Sequence, residues 1–278
     1  MGTLTNMSIG SDRNWMVAGT NSGYLTLWDL RFHKVVKAWQ HNSCSPIYKV
    51  STSFAALGRD HEPQPHVIMS CGNNETSIFN VITGECNHCF RVLDPSMCYA
   101  DRRMLPEDYT SLPRLNEVVL HSNSYRRVFG ISNAVQTTVT SRKRGVLLEP
   151  HMNSFSGRVG SSGQNYLITA GSDASIRYWD FSSASKCFTV SGLKTSQSRP
   201  VYESIDANEQ RNSLILCRQL PAVSPKAGNH ANYSKYTNHG PVRPENRHHD
   251  SILDIKKLEY PIKGLLTCSR DGFIKFWR

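Results

Sequence analysis

Short apolar runs along this chain alternate with polar positions at a period of two, and the runs come in pairs. Four stretches share one pattern. They are Trp15-Met-Val-Ala-Gly-Thr-Asn-Ser-Gly-Tyr-Leu-Thr-Leu-Trp28-Asp29, Val67-Ile-Met-Ser-Cys-Gly-Asn-Asn-Glu-Thr-Ser-Ile-Phe79-Asn80, Tyr166-Leu-Ile-Thr-Ala-Gly-Ser-Asp-Ala-Ser-Ile-Arg-Tyr-Trp179-Asp180 and Leu265-Leu-Thr-Cys-Ser-Arg-Asp-Gly-Phe-Ile-Lys-Phe-Trp277-Arg278. Each reads as an apolar strand, a tight turn and a second strand ending in an aromatic residue. The turn pairs are Ser22-Gly23, Asn73-Asn74, Asp173-Ala174 and Asp271-Gly272. A two-residue type I′ turn needs positive φ at both positions, which Gly, Asn and Asp tolerate and Ala174 suits least. After the turn, Leu25 and Leu27, Ile176 and Tyr178, and Ile274 and Phe276 fall on one face. Thr26 and Trp28, Arg177 and Trp179, and Lys275 and Trp277 fall on the other.

A recurring hairpin with this ending marks the blade of a WD-repeat β-propeller. The predicted class is all-β, a partial ring of about four blades with long insertions. Flanking strands are predicted at residues 4–9 and 35–39, 86–92, 186–190 and 252–258. The closing aromatics stand at positions 28, 79, 179 and 277, at intervals of 51, 100 and 98. At about 45 residues per blade, the two long intervals each carry roughly 50 extra residues. Residues 1–278 then form one propeller region, with blades at about 3–40, 45–92, 153–191 and 248–278 and insertions at about 93–152 and 192–247. Weak strand signals stand at 118–121 and 128–131 in the first insertion and at 213–218 in the second, which is rich in Ser, Asn, Pro and His.

The pattern opens on the first strand of a blade and stops on the third strand of another. An incomplete sheet exposes unpaired backbone groups. The expectation is therefore the C-terminal arc of a longer ring with blades upstream; a self-closed ring of four is the alternative. The chain is too short for seven blades of about 40–45 residues together with these insertions.

A buried indole N–H wants an acceptor. In WD-repeat proteins the closing Trp joins a His before the blade, a Ser or Thr on the second strand and an Asp in the turn. This sequence resembles that set fully at His249, Thr267, Asp271 and Trp277, and in part at Thr169, Asp173 and Trp179. The first hairpin keeps Trp28 and Asp29 but has Ser22 in place of the turn Asp. The second has Phe79-Asn80 in place of Trp-Asp, so no such network is expected there.

Several details go beyond generic repeats. They are Gly23-Tyr-Leu-Thr-Leu-Trp28-Asp-Leu-Arg-Phe32 followed by Ala38-Trp39, Cys71-Gly-Asn-Asn-Glu75 through Thr83-Gly84, the segment from Ile168 through Trp179, and His248-His-Asp-Ser-Ile-Leu-Asp254 followed by the run from Thr267 to Arg278. Together they resemble the C-terminal WD-repeat region of the large regulatory, kinase-like subunit of class III phosphatidylinositol 3-kinase. The resemblance covers the blades and lapses in both insertions. It implies a non-catalytic scaffold acting in endosomal and vacuolar protein sorting and autophagy. The implied partners are the lipid-kinase catalytic subunit and the coiled-coil subunits of the same complex. The implied location is cytoplasmic, peripheral on endosomal, vacuolar and autophagic membranes. A full-length parent would carry a serine/threonine-kinase-like domain at its N-terminus. This chain contains no His-Arg-Asp, Asp-Phe-Gly or Val-Ala-Ile-Lys element, so no enzyme activity is expected of it.

Composition narrows the rest. Hydrophobic residues make up 38% of the chain, and no apolar run approaches the roughly 20 residues of a membrane span. The start, Met1-Gly-Thr-Leu-Thr-Asn-Met7, has no secretory-signal pattern. A cytosolic compartment is expected, with the eight cysteines reduced and with Cys71 and Cys268 acting as small apolar strand residues. A net charge of +10, from 32 basic and 22 acidic residues, suits an acidic partner. An anionic membrane surface is one candidate. A reader of nucleic acid or histone tails is the rival function, and no small-molecule substrate is implied.

No cofactor or metal is implied either. Cys86-Asn-His-Cys89 has zinc-like spacing, but residues three apart on a strand point to opposite faces, and Cys98 stands alone. Gly157-Arg-Val-Gly160-Ser-Ser-Gly163 lacks phosphate-loop spacing and reads as a loop. His248-His249-Asp250 has no accompanying nucleophile motif. Arg142-Lys143-Arg144 reads as a solvated run, and Tyr125, Arg126 and Arg127 are candidate docking residues by type alone.

Overall fold

The computed structural model describes residues 2–57, 62–93, 105–119, 152–158, 165–192, 198–206, 213–221 and 247–278. These residues are almost entirely strand and turn. β1 (Leu4–Ile9), β2 (Trp15–Thr20), β3 (Tyr24–Asp29) and β4 (Lys34–His41) form the first sheet. β5 (Ile47–Ala55), β6 (Gln64–Cys71), β7 (Glu75–Asn80) and β8 (Cys86–Val92) form the second. A helical turn, α1 (Glu107–Thr110), and β9 (Leu115–Glu117) follow. β10 (Met152–Arg158), β11 (Tyr166–Gly171), β12 (Ile176–Asp180) and β13 (Phe188–Ser191) make the third sheet. After β14 (Ser198–Asp206) and β15 (Ser213–Pro221), the fourth comprises β16 (Ile252–Leu258), β17 (Gly264–Ser269) and β18 (Ile274–Trp277). None of the sheets closes on itself. The four hairpins read from the sequence are β2–β3, β6–β7, β11–β12 and β17–β18.

Successive sheets meet through their first strands. β5 lies against β1 and β2, β10 against β5 and β6, and β16 against β10 and β11. Where β1 faces β5, side chains replace a backbone ladder. Thr5 Oγ1 donates to Ile47 O at 2.5 Å, Val50 N donates to Asn6 Oδ1 at 3.1 Å, and Thr52 Oγ1 donates to Ile9 O at 2.7 Å. Facing strand edges are thereby satisfied without fusing the two sheets.

Three apolar clusters follow the same order. Val17, Leu25, Ile47, Met69 and Phe79 join the first sheet to the second. Ile68, Ile78, Phe90, Leu167 and Trp179 join the second to the third. Ala170, Ile176, Ile252, Ile255 and Leu265 join the third to the fourth. Each such large side chain contributes roughly 1.5–3 kcal/mol on burial. The second sheet is covered on both faces, so β7 and β8 are buried at every position, polar residues included.

The turns differ from the type I′ expectation. Only the second residue of each pair is left-handed: Gly23 (φ 75°), Asn74 (φ 63°), Ala174 (φ 56°) and Gly272 (φ 84°). This is the single left-handed residue of a longer hairpin loop. Asp173 and Asp271 instead use their carboxylates, accepting from Ser175 N at 3.1 Å and Phe273 N at 3.0 Å. Such a side-chain-closed turn pre-sets the loop before the hairpin pairs.

Both insertion regions return to sheets already built. β9 pairs antiparallel with the outer edge of β4. β14 and β15 form a hairpin, and β15 then runs parallel to β8. The 213–218 signal is thus a strand. Val118 and Val119 lie outside any strand, and residues 120, 121 and 128–131 lie outside the described residues. Gly157 and Arg158 belong to β10 rather than to a loop; residues 159–163 are not among those described. The same holds for Cys98, Tyr125, Arg126, Arg127 and Arg142 through Arg144.

The face assignment for Cys86 and Cys89 is corrected. Cys89 pairs with Ser77 and His88 with Ile78, but Phe79 pairs with Cys86, so the register slips by one residue at Asn87. The bulge turns both thiols into the same apolar cluster. The described cysteines are free thiols, with Cys71, Cys86 and Cys89 buried. Burial pushes the Cys89 thiol up to about 12, which keeps it un-ionised and unreactive. Among the described residues no group of three or more His, Cys, Asp or Glu is placed to hold a metal ion.

Candidate functional site

The fourth sheet carries a continuous polar chain. Trp277 Nε1 donates to Thr267 Oγ1 at 2.8 Å, and Thr267 Oγ1 meets His248 Nε2 at 2.7 Å. His248 Nδ1 meets Asp271 Oδ2 at 3.1 Å. One proton order satisfies all four groups: indole N–H to hydroxyl oxygen, hydroxyl O–H to Nε2, and Nδ1–H to carboxylate. The imidazole in this chain belongs to His248. His249, the residue expected from the sequence, contributes its backbone N–H to Asp271 Oδ2 at 2.9 Å. Adjacent histidines cannot be told apart by motif alone, and the side chain turned inward is the fully buried one. Burial alone would raise the Asp271 carboxyl, but the backbone N–H groups of His249 and Phe273 and the His248 contact outweigh it and hold it well below the usual range.

The other sheets vary the theme. In the third, Trp179 Nε1 donates to Thr169 Oγ1 at 2.8 Å, and Trp179 is fully buried. Asp173 is paired with the buried guanidinium of Arg177. In the first, Trp28 Nε1 donates to Thr26 Oγ1 at 3.1 Å, a neighbour on its own strand. Asp29 plays no part in that bond. It binds Arg31 at the surface at 2.7 Å.

The second sheet has no closing Trp, yet it holds a buried charged cluster of its own. Glu75 accepts from His41 Nε2 at 3.1 Å and Ser77 Oγ at 2.6 Å through Oε1. Through Oε2 it accepts from Arg91 Nη2 at 2.6 Å, Arg91 Nε at 3.1 Å and Asn73 Nδ2 at 3.2 Å. His41 Nδ1 meets Ser43 Oγ at 2.7 Å. Burial alone would raise the Glu75 carboxyl, but the Arg91 guanidinium and the His41 contact hold it well below the usual range. His41 lies on β4 and Glu75 on β7, so the cluster ties the first sheet to the second. Sequence reasoning missed it. The available signal was a Glu and an Arg at register positions that alternation assigns to the interior.

These side chains saturate one another. Glu75, Thr267 and Asp271 accept from fixed donors, and His41 and His248 are wholly buried. Such an arrangement stiffens hairpins against their neighbours; it presents no free base or nucleophile in the networks themselves.

The geometry defines an all-β repeat assembly whose hairpins are pinned by internal polar bonds. Comparison with known proteins places it further. The chain is 25% identical over 276 residues to the serine/threonine-protein kinase VPS15 of Arabidopsis thaliana, covering 95% of this chain and 17% of the relative. It is 23% identical over 288 residues to the putative serine/threonine-protein kinase VPS15 of Komagataella pastoris, covering 100% of this chain and 19% of the relative. The chain is thus homologous to the C-terminal region of VPS15 proteins and spans less than a fifth of their length. No family model matches it. Among solved structures, the computationally designed Ika4 protein aligns with a TM-score of 0.40 and 10% identity, covering 100% of this chain and 91% of that one.

Proposed function

We propose that the four sheets are blades of a WD-repeat propeller arc, and that the arc is a non-catalytic scaffold of a class III phosphatidylinositol 3-kinase complex. The observation that carries this reading is the alignment of nearly the whole chain with VPS15 proteins. The contact of successive sheets through their first strands supports the propeller geometry, because radial sheets touch at their inner strands. The mechanism is docking: stiff sheets hold loops and outer edges in fixed positions for the lipid-kinase subunit and its coiled-coil partners. The site of action is the cytoplasmic face of endosomal, vacuolar and autophagic membranes, and the work done there is protein sorting and autophagy.

Affinity purification with this chain as bait tests this reading. Recovery of the lipid kinase and coiled-coil subunits above that with an unrelated bait supports it. Recovery no greater than with the unrelated bait overturns it. The +10 charge motivates the rival reading as a nucleic-acid or histone-tail reader. That reading requires recovery of chromatin and binding that weakens steeply with salt.

A further inference from the structure

The two insertion regions converge on β8. Residues Ser213 to Cys217 of β15 lie opposite His88 to Val92, and the ladder continues with Leu93 N donating to Cys217 O at 3.0 Å. From the other insertion, Asp108 O and Ser111 O accept from Arg91 Nη1 at 2.7 and 3.5 Å. Leu105, Tyr109, Leu112 and Leu115 pack in the same apolar cluster as Leu214 and Leu216 of β15. The opposite face of β15 sends Ile215 and Cys217 into the cluster built on Trp179 and Leu167. Tyr202 of β14 meets Trp179 edge-on with centroids 5.3 Å apart, and its hydroxyl bonds Thr189 at 2.9 Å.

One strand therefore plugs two cores. Leu214, Ile215, Leu216 and Cys217 are each at most 1% exposed, and alternate residues serve different inter-sheet clusters. With β9 on β4, described segments of both insertions form a belt packed against the first three sheets. Among the described residues neither insertion adds a strand to the fourth sheet, which packs through β16 on β10 and β11 and meets the end of the second insertion through Lys275 Nζ, which donates to Arg247 O at 2.6 Å.

We propose that this belt is a strap. It fastens the first three sheets into one cooperative unit, and it leaves the fourth sheet free to open separately. Cooperative opening follows buried apolar contact, and among the described residues the belt supplies that contact to the first three sheets.

Native-state amide exchange on the full chain tests the strap. In the unaltered protein, amides of β17 and β18 should exchange at least roughly tenfold faster than those of β6, β7 and β15. In Leu216→Ala, β15, β8 and residues 105–117 should lose protection together, with β16–β18 unchanged. Ser213→Ala removes only the hydroxyl bonded to His88 Nδ1 at 2.7 Å. It should give the same joint loss on a smaller scale in a chain that stays folded. Equal protection of β15 and β18 in the unaltered protein would overturn the proposal. So would a loss of protection in β15 while residues 105–117 keep theirs.

Discussion

Lys49 Nζ and Asp254 Oδ1 lie 2.5 Å apart, although 205 residues separate them. Lys49 sits on β5 and Asp254 on β16, so the pair links the second sheet to the fourth past the third. Sheets stacked in layers stand about 10 Å apart, which would put the second and fourth about twice that distance apart, beyond one lysine side chain. The contact fits the proposed propeller, in which first strands converge while outer strands splay. Because Lys49 is 24% and Asp254 59% exposed, the pair reports this geometry without supporting it. Lys49→Ala should cost about 1 kcal/mol or less, and urea unfolding of the two single variants and the double variant measures it.

The closing Trp bonds should matter in proportion to burial. Thr267→Val removes the acceptor of Trp277 and the partner of His248 together, and should cost about 1–3 kcal/mol. Thr26→Val removes the partner of the partly exposed Trp28 and should cost clearly less, since water can reach that indole. Urea midpoints of the two variants, compared at equal m-values, decide the order.

Glu75→Gln should be among the most damaging single changes, because it strands the buried Arg91 charge. The expected loss is about 3–5 kcal/mol. The double variant Glu75→Gln with Arg91→Met removes the stranded charge and should recover much of that loss. A double variant no better than Glu75→Gln alone would show that the charge is not what the fold depends on.

His88 sets a pH dependence. Burial, with the nearby His66 adding to it, lowers its pKa from 6.5 to about 4. Between those values the unfolded chain binds a proton that the folded chain refuses, so stability falls as pH drops from 6.5 and levels off near 4. The full effect is on the order of a few kcal/mol. Glu75, whose carboxyl is held low, acts in the same direction once pH falls below its ordinary value of 4.5. His88→Gln should flatten the upper part of the curve and leave the lower part, as read by urea unfolding across that range.

Much of this architecture was legible in the sequence because alternation and turn chemistry are local. The hairpins ending at Trp28, Phe79, Trp179 and Trp277 follow from period-two patterns alone. Two kinds of feature did not. The Cys86–Cys89 bulge depends on a register slip against β7 that no local pattern encodes. The Glu75 cluster and the parallel pairing of β15 with β8 depend on which sheets lie side by side, and a charged residue in a strand usually signals a solvated face. The motif points to His249 because it gives a residue type with a one-position tolerance, while burial selects the His248 ring.

The central claim is that the four sheets are sectors gathered around one axis. A side-chain-resolution density map of the full-length protein in its purified assembly tests it most directly. The account predicts four sheets radiating in chain order, with Lys49 and Asp254 in contact near the centre and β15 lying along β8 at the outside. Sheets layered face to face, or a fourth sheet separated from the other three with Lys49 and Asp254 far apart, would contradict it.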